Sequence, residues 1–241
     1  MIQVLPDLEA VSRAAAELLV NQAREAIRDR GQFSLVLSGG HTPRRLYELL
    51  SSDPFRDQIS WERVHIFWTD ERCVPPDDPR SNERMARRSL LDHVPIPPLQ
   101  IHPIHCTQRV RDAAVEYESL LRTFFKDGAP RFDFVLLGLG EDGHTASLFP
   151  NTNVLEERER WVAGLYVDEQ DLHRITLTVP IINQAAVVAF LVSGASKARI
   201  LHEVLEGPSD PHRLPAQFIR PISGKLIWLV DEESAMLLKH I

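Results

Sequence analysis

The chain has 241 residues, of which 44% are hydrophobic and 25% are charged, a composition typical of a globular protein with a sizeable core. Its formal net charge of -7 argues against non-specific binding to nucleic acid or to an anionic membrane. The two cysteines, Cys73 and Cys106, cannot build a disulfide framework, although they could form one bridge. Because the sequence has neither a membrane-spanning apolar run nor a signal-peptide pattern, we expect a cytoplasmic protein.

The first half of the sequence predicts strands and helices in alternation. Apolar residues recur at helical spacing over residues 8–30, with Asp7 as N-cap and Gly31 as the stop. In chain order the predicted elements are strand 2–5, helix 8–30, strand 33–37, a helix with Pro43 in its first turn, strand 64–68, a helix capped by Ser81 or Asn82 that runs to about Asp92, and helix 110–125.

The second half continues this alternation. Its predicted elements are strands 134–137, 161–167, 175–179, 187–192 and 226–230, and helices 196–205 and 232–240. We therefore expect an α/β fold with a mainly parallel twisted sheet and helices on both faces, a Rossmann-like three-layer sandwich. Because no repeat or long linker interrupts the chain, we expect one domain spanning residues 1–241.

Residues 38–43, with the sequence SGGHTP, join a predicted strand to a helix start. Gly39 and Gly40 would let an anion approach the backbone N–H groups at the helix N-terminus, where the helix dipole favours phosphate. Ser38 and Thr42 could add hydroxyl donors. The segment is equally compatible with a tight turn that needs glycine and a threonine N-cap.

Cationic side chains lie near the ends of three other predicted strands. Arg72 follows Asp70 at one strand end, with Asn82 after the next loop, while Arg174 begins another strand and Lys197 follows a third. An arginine there can meet a phosphate or a developing oxyanion with a planar, permanently charged fork. On local sequence alone, a solvated surface charge is the commoner role for such residues.

The segment 132–150 contains the strongest indication of catalysis. An apolar strand ends at Gly138, and Asp142 and His144 follow two residues apart. A carboxylate can fix the tautomer of an imidazole and raise its basicity, so that the imidazole takes a proton from water or substrate. Open α/β sheets bind their ligands at such strand ends. A structural histidine bonded to backbone is the alternative.

Other classes of site are less compatible with the sequence. The glycines of the same segment spell G-x-G-x-x-G, but Glu141 and Asp142 would place negative charge where a dinucleotide pyrophosphate must lie. His102, His105 and Cys106 lack a second ligand pair at zinc-site spacing. A serine hydrolase would need a G-x-S-x-G elbow, which is absent.

Several motifs occur through nearly the whole chain in one order. They are S-G-G-x-T-P at 38–43, D-E-R-x-V-P at 70–75 followed by Ser81 and Asn82, GLGEDGHTASLFP at 138–150, RITLT at 174–178, G-x-x-K at 194–197 and LIWLVD at 226–231. Together they resemble the 6-phosphogluconolactonase family, within the glucosamine-6-phosphate isomerase/6-phosphogluconolactonase superfamily.

Two details bear on that resemblance. The deaminases of the same fold typically continue Asp-Gly-His with Ile-Ala-Phe-Asn-Glu-Pro, whereas this chain continues with Thr-Ala-Ser-Leu-Phe-Pro and has Arg72, not an aromatic residue, after Asp70-Glu71. Both differences favour the lactonase. His41 departs from the family, which usually has serine or another small polar residue there.

The resemblance implies hydrolysis of 6-phosphogluconolactone to 6-phosphogluconate, the second step of the oxidative pentose phosphate pathway, without metal or other cofactor. We expect His144, oriented by Asp142, to activate water, and Arg72 to stabilise charge on the carbonyl oxygen. The residues expected to bind the substrate are Ser38, Gly39, Gly40, Thr42, Asp70, Asn82, Arg174 and Lys197.

Two other functions stay open: an amino-sugar deaminase or another sugar-phosphate isomerase of this fold, and a sugar-phosphate-binding module without catalysis. Ammonia release from glucosamine 6-phosphate would identify the first, and tight lactone binding without hydrolysis would identify the second. We expect a phosphorylated sugar lactone as the partner, with no nucleic acid and no membrane, and a monomer or weak homodimer.

Overall fold

The computed structural model describes residues 1–106, 109–126 and 129–240. The strands within these residues are β1 (Ile2–Leu5), β2 (Phe33–Leu37), β3 (Val64–Trp68), β4 (Asp70–Arg72), β5 (Phe134–Leu137), β6 (Val162–Val167), β7 (Leu172–Leu177), β8 (Val187–Val192) and β9 (Lys225–Asp231). The helices are α1 (Leu8–Arg30), α2 (His41–Leu50), α3 (Asn82–Ser89), α4 (Val110–Phe124), α5 (Val179–Ile182), α6 (Ala198–Glu206) and α7 (Glu232–Ala235).

Six strands form one parallel sheet in the order β1-β9-β8-β5-β2-β3. The central strands β2, β5 and β8 are buried along their whole length, which fits their continuous apolar sequences, because helices cover a parallel sheet on both faces. The expected three-layer α/β fold is confirmed. Since all these strands run in one direction, the loops after β2, β5 and β8 meet at the same edge of the sheet.

A second, antiparallel sheet has the order β4-β7-β6, and the sequence analysis does not predict it. Only residues 168–171 separate β6 from β7, and a crossover between parallel strands needs a dozen or more residues. The two strands therefore pair as a hairpin. β4, which follows β3 after Thr69, adds to this hairpin and places Arg72 directly opposite Arg174.

One cluster of buried apolar side chains connects the two sheets. Phe125, at the end of α4, contacts both Phe132, which precedes β5, and Trp161, which precedes β6. The helix α4 itself packs on β6 and β7. The small sheet is thereby fixed beside the carboxyl edge of the main sheet, where the polar loops lie.

Several predicted helix boundaries are correct, and two are wrong. Asp7 caps α1 by accepting a hydrogen bond from the N–H of Ala10 at 2.8 Å, and Gly31 ends the helix with a φ of 78°. The helix predicted to run to about Asp92 ends instead at Ser89. The predicted closing helix 232–240 ends at Ala235, and farther on the N–H groups of residues 239 and 240 donate to the carboxylate of Glu206 on α6.

The two cysteines, whose pairing the sequence leaves open, form a disulfide. It connects Cys73, the residue after β4, to Cys106, so the bridge adjoins Arg72. Within the described ranges, none of the helices is both long and apolar enough to span a membrane.

Candidate active site

A cavity of about 310 Å³ lies at the carboxyl edge of the main sheet. The loops after β2, β5 and β8 form one side of it, and β4 and β7 of the small sheet form the other. Its wall contains most of the residues that the sequence indicated, namely Ser38, Gly39, Gly40, Thr42, Asp70, Arg72, His144, Arg174 and Lys197. Asp142 and Asn82 are not part of the wall, although both contact residues that are.

His144 and Asp142 form a close pair. Nδ1 of His144 lies 2.5 Å from Oδ1 of Asp142, which also accepts a hydrogen bond from the His144 backbone N–H at 3.1 Å. Partial burial alone would raise the pKa of Asp142, but the hydrogen bonds and charge of His144 outweigh it and lower that pKa. Because Nδ1 faces the carboxylate, Nε2 is the nitrogen that can accept a proton in the cavity.

Glycine is required beside this pair. A Cβ atom at Gly140 would overlap the imidazole of His144 and lie 2.6 Å from Oδ1 of Asp142. Gly143, between the two, has a φ of 85°, which side chains rarely permit. Of the glycines that resemble a dinucleotide fingerprint, Gly140 therefore makes room for the His144–Asp142 pair, and Gly143 provides the turn between its two members.

Arg72 and Arg174 form a cationic wall of the cavity. They lie directly opposite each other on β4 and β7, and Arg174 is only 5% exposed. Burial and the nearby Arg72 charge lower the pKa of Arg174, against the opposing effect of Asp70. In the described part of the chain, the buried Nε atom of each arginine has no hydrogen-bond partner. Because a guanidinium fork matches the geometry of a phosphate or carboxylate, the two side chains make this side of the cavity suitable for an anion.

Asp70 lines the cavity, and its carboxylate is also engaged with protein groups. Its side chain is buried and accepts hydrogen bonds from Ser147 Oγ at 2.6 Å and from Arg174 Nη1 at 3.4 Å. Asn82 Nδ2 donates to the Asp70 backbone carbonyl at 2.9 Å. Asn82 also lies directly behind Gly39, where a Cβ atom would overlap its side chain. Of these two predicted substrate-binding residues, Asp70 is thus part of the wall and Asn82 supports the wall from behind.

Glu71 holds the loop that follows Arg72, a role that sequence reasoning did not identify. Its carboxylate accepts hydrogen bonds from the backbone N–H groups of Arg72, Asn82 and Glu83 at 2.8, 2.7 and 2.8 Å. Burial raises the pKa of Glu71 despite these bonds. All three residues of β4 are charged, and both Asp70 and Glu71 are buried, so no alternation along the strand indicates this role in advance.

The predicted phosphate turn lies at the start of α2. Gly40 is its N-cap with a φ of 110°, and among the described residues no side chain accepts a hydrogen bond from the first helical N–H groups. Such groups at a helix N-terminus are suited to bind an anion. Lys197 reaches the same cavity from the loop after β8, and its Nζ lies 3.9 Å from an oxygen of Glu141.

Sequence reasoning also missed Gln170 and Ser193, which line the cavity. Gln170 lies at the tip of the β6–β7 hairpin, and its side-chain oxygen accepts a hydrogen bond from Arg174. Only the pairing of the hairpin, which the sequence does not reveal, brings it there. Among the residues that the structure describes, no three His, Cys, Asp or Glu side chains group together as metal ligands.

Comparison with known proteins gives matches along the whole chain. The model of the family described as glucosamine-6-phosphate isomerases/6-phosphogluconolactonase matches residues 6–228. The chain is similar to the 6-phosphogluconolactonase of Synechocystis sp., with 44% identity over 97% of this chain and 96% of that protein. The 6-phosphogluconolactonase of Nostoc sp. is 41% identical over 95% of both chains.

Solved structures agree with these matches. A 6-phosphogluconolactonase from Trypanosoma cruzi has a TM-score of 0.87 and 28% identity, covering 99% of this chain and 97% of that chain. A monomeric glucosamine-6-phosphate deaminase has a TM-score of 0.84 at 21% identity, covering 98% and 99%, and at that identity the likeness shows the fold alone.

Proposed function

The chain belongs to the glucosamine-6-phosphate isomerase/6-phosphogluconolactonase family, and we propose that it is an enzyme that hydrolyses 6-phospho-D-glucono-1,5-lactone to 6-phosphogluconate. The observation that carries this proposal is the arrangement of one carboxylate-oriented imidazole, His144, in a small cavity that is also lined by the half-buried Arg72 and the buried Arg174. The volume of about 310 Å³ suits a small, polar ligand.

In this proposal the phosphate of the substrate binds between the N-terminus of α2, Lys197 and Arg174. The net charge of the chain is -7, so attraction for an anionic substrate has to come from this local group of cations. Anchoring the phosphate places the lactone carbonyl near His144 and Arg72. Binding energy from a remote group then contributes to the rate of the chemical step.

His144 acts as the general base. Its Nε2 takes a proton from water while the water oxygen bonds to the lactone carbonyl carbon, and Asp142 stabilises the resulting imidazolium. Arg72 stabilises the negative charge that develops on the carbonyl oxygen. When the bond between the carbonyl carbon and the ring oxygen breaks, His144 returns its proton to the ring oxygen. None of these steps needs a metal or an organic cofactor.

A lactone-hydrolysis assay tests the proposal directly. The substrate must be freshly made and the background subtracted, because δ-lactones also open spontaneously. We expect enzyme-dependent release of acid at a rate that is proportional to protein concentration. Ammonia release from glucosamine 6-phosphate without lactone hydrolysis would contradict the proposal and favour a deaminase, and lactone binding without turnover would favour a non-catalytic module.

We further propose that the protein works in the cytoplasm as a monomer or weak homodimer, at the second step of the oxidative pentose phosphate pathway. Relatives named as 6-phosphogluconolactonases support the step. Sedimentation velocity across a range of concentrations would test the state of assembly. An oligomer larger than a dimer that persists at every concentration would contradict the proposed monomer or weak homodimer.

A further inference from the structure

The segment 144–149, which contains His144, also contains two side chains that hold Arg174. We propose that Ser147 and Phe149 are positioning residues that fix the guanidinium of Arg174 relative to the imidazole of His144. This inference rests on the proposed function, because it gives His144 the role of base and Arg174 that of a substrate-binding cation.

Ser147 acts on Arg174 through Asp70. The hydroxyl of Ser147 is fully buried and donates to Oδ2 of Asp70 at 2.6 Å, and Arg174 Nη1 donates to the same oxygen at 3.4 Å. The backbone N–H of Ser147 donates to Oγ1 of Thr176, two residues after Arg174 on β7, at 3.2 Å. Ser147 therefore contacts both the carboxylate that neutralises Arg174 and the strand that carries it.

Phe149 contacts the base and the cation with one ring. Its centroid lies 4.3 Å from that of His144, with 31° between the ring planes, and 5.5 Å from Cζ of Arg174. A cation within about 6 Å of an aromatic centroid is attracted to the ring. Phe149 is 7% exposed, so its own position is fixed by packing. The ring sets the separation between His144 and Arg174.

A buried arginine needs such support. Arg174 is 5% exposed and its Nε has no partner within the described ranges, so the side chain must be held where the substrate will meet it. A group that is already oriented loses little entropy on binding, whereas a displacement of about 1 Å can cost on the order of a hundredfold in rate. The hydroxyl at 147 and the ring at 149 supply this orientation from two directions.

A double-mutant cycle tests the inference. We expect S147A to lower kcat/KM about tenfold, mainly by raising KM. We expect F149L also to lower kcat/KM about tenfold, but through a lower kcat as well as a higher KM, because the ring of Phe149 contacts His144. In an R174A background, S147A should lower kcat/KM by less than about twofold, since the residue acts through Arg174. A merely structural role would give the same factor in both backgrounds.

The control is S89A, which removes the buried hydroxyl of a serine on α3 that bonds to the Met85 carbonyl, outside the cavity. It should leave kcat and KM unchanged. Additive effects of S147A and R174A in folded variants would overturn the role of Ser147, and an F149L enzyme with wild-type kinetics would overturn that of Phe149. If S147A does not fold, S147C is substituted for it in the same cycle. Failure of the proposed function would instead appear as absent hydrolysis in the unaltered protein.

Discussion

At the scale of single residues, the pair of Arg72 and Arg174 best explains the chemistry of the cavity. Like charges directly opposite each other in an antiparallel pair are destabilising, and only one carboxylate, Asp70, contacts Arg174 among the described residues. A substrate anion bound beside the two guanidinium groups would relieve this repulsion. We therefore propose that a phosphorylated ligand stabilises this locally unfavourable arrangement when it binds.

Replacing Lys197 by alanine tests where the phosphate binds. We expect KM for the phosphorylated lactone to rise about tenfold with a smaller change in kcat, because a charge-assisted hydrogen bond to the phosphate is lost. Steady-state kinetics would measure both parameters. The control is K225A, which removes an exposed lysine at the start of β9. A K197A enzyme with wild-type KM would place the phosphate elsewhere.

The sequence predicted the residues of the cavity better than their orientation. His144, Asp142 and the glycines could be recognised because a carboxylate and an imidazole follow a glycine turn at a strand end. Asn82 was expected to bind substrate but lies behind Gly39, since the side-chain direction depends on how Ser81 caps α3 and on hydrogen bonds to Glu71. Local sequence does not reveal such long-range contacts.

At the scale of elements, the parallel sheet followed from the sequence but the hairpin β6–β7 did not. Buried strands such as β5 and β8 are short runs that are apolar along their whole length and end at glycine or polar residues, and these features identify them in the sequence. The small sheet depends on β4, which has only three residues and a charged sequence, Asp-Glu-Arg. Its pairing with β7 is a tertiary interaction, and this pairing brings Arg174 and Gln170 to the site.

The disulfide fixes β4 at its C-terminal end. The bridge between Cys73 and Cys106 closes a loop with a sequence separation of 33 residues. Replacing both cysteines by serine should lower the free energy of unfolding by about 2–4 kcal/mol, because the unfolded chain regains entropy. Urea denaturation of the oxidised protein and of the variant would measure this. Equal unfolding midpoints, or no effect of a thiol reductant on the unaltered protein, would contradict the prediction.

His65 on β3 and its neighbour His102 should make the free energy of unfolding depend on pH. Nδ1 of His65 lies 3.1 Å from Nε2 of His102, and burial together with the charge of His65 lowers the pKa of His102 to about 4. As the pH falls, His102 therefore becomes protonated near pH 6.5 in the unfolded chain but only near pH 4 in the folded protein. Its contribution to the free energy of unfolding is fully present above pH 6.5 and is lost as the pH falls toward 4. Allowing for partial exposure, we expect a loss of about 1–2 kcal/mol.

Urea denaturation at pH 7.5 and 4.5 measures this dependence. H102Q should reduce the difference in unfolding free energy between the two pH values by about 1 kcal/mol, because the variant lacks the imidazole whose pKa differs between the folded and unfolded states. H105Q, at an exposed histidine nearby, should keep the wild-type difference. An H102Q protein with an unchanged pH dependence would show that the pair does not titrate as described.

At the scale of the whole molecule, the continuous core across both sheets supports a single folding unit. We propose that residues 1–241 form one domain and unfold in one transition, since α4 and its aromatic neighbours pack against both sheets. Circular dichroism and tryptophan fluorescence should give the same unfolding midpoint in urea. Two separate transitions, one for each sheet, would contradict this prediction.

We propose that the whole fold brings one imidazole to a phosphorylated ester, and the turnover of the H144A variant tests this proposal most directly. With freshly prepared lactone and the spontaneous reaction subtracted, we expect kcat to fall by about a hundredfold or more, as for the loss of a general base. The melting temperature should stay near that of the unaltered protein, and H93A, at an exposed histidine, should keep full activity. A folded H144A protein that hydrolyses the lactone at close to the wild-type rate would contradict the mechanism.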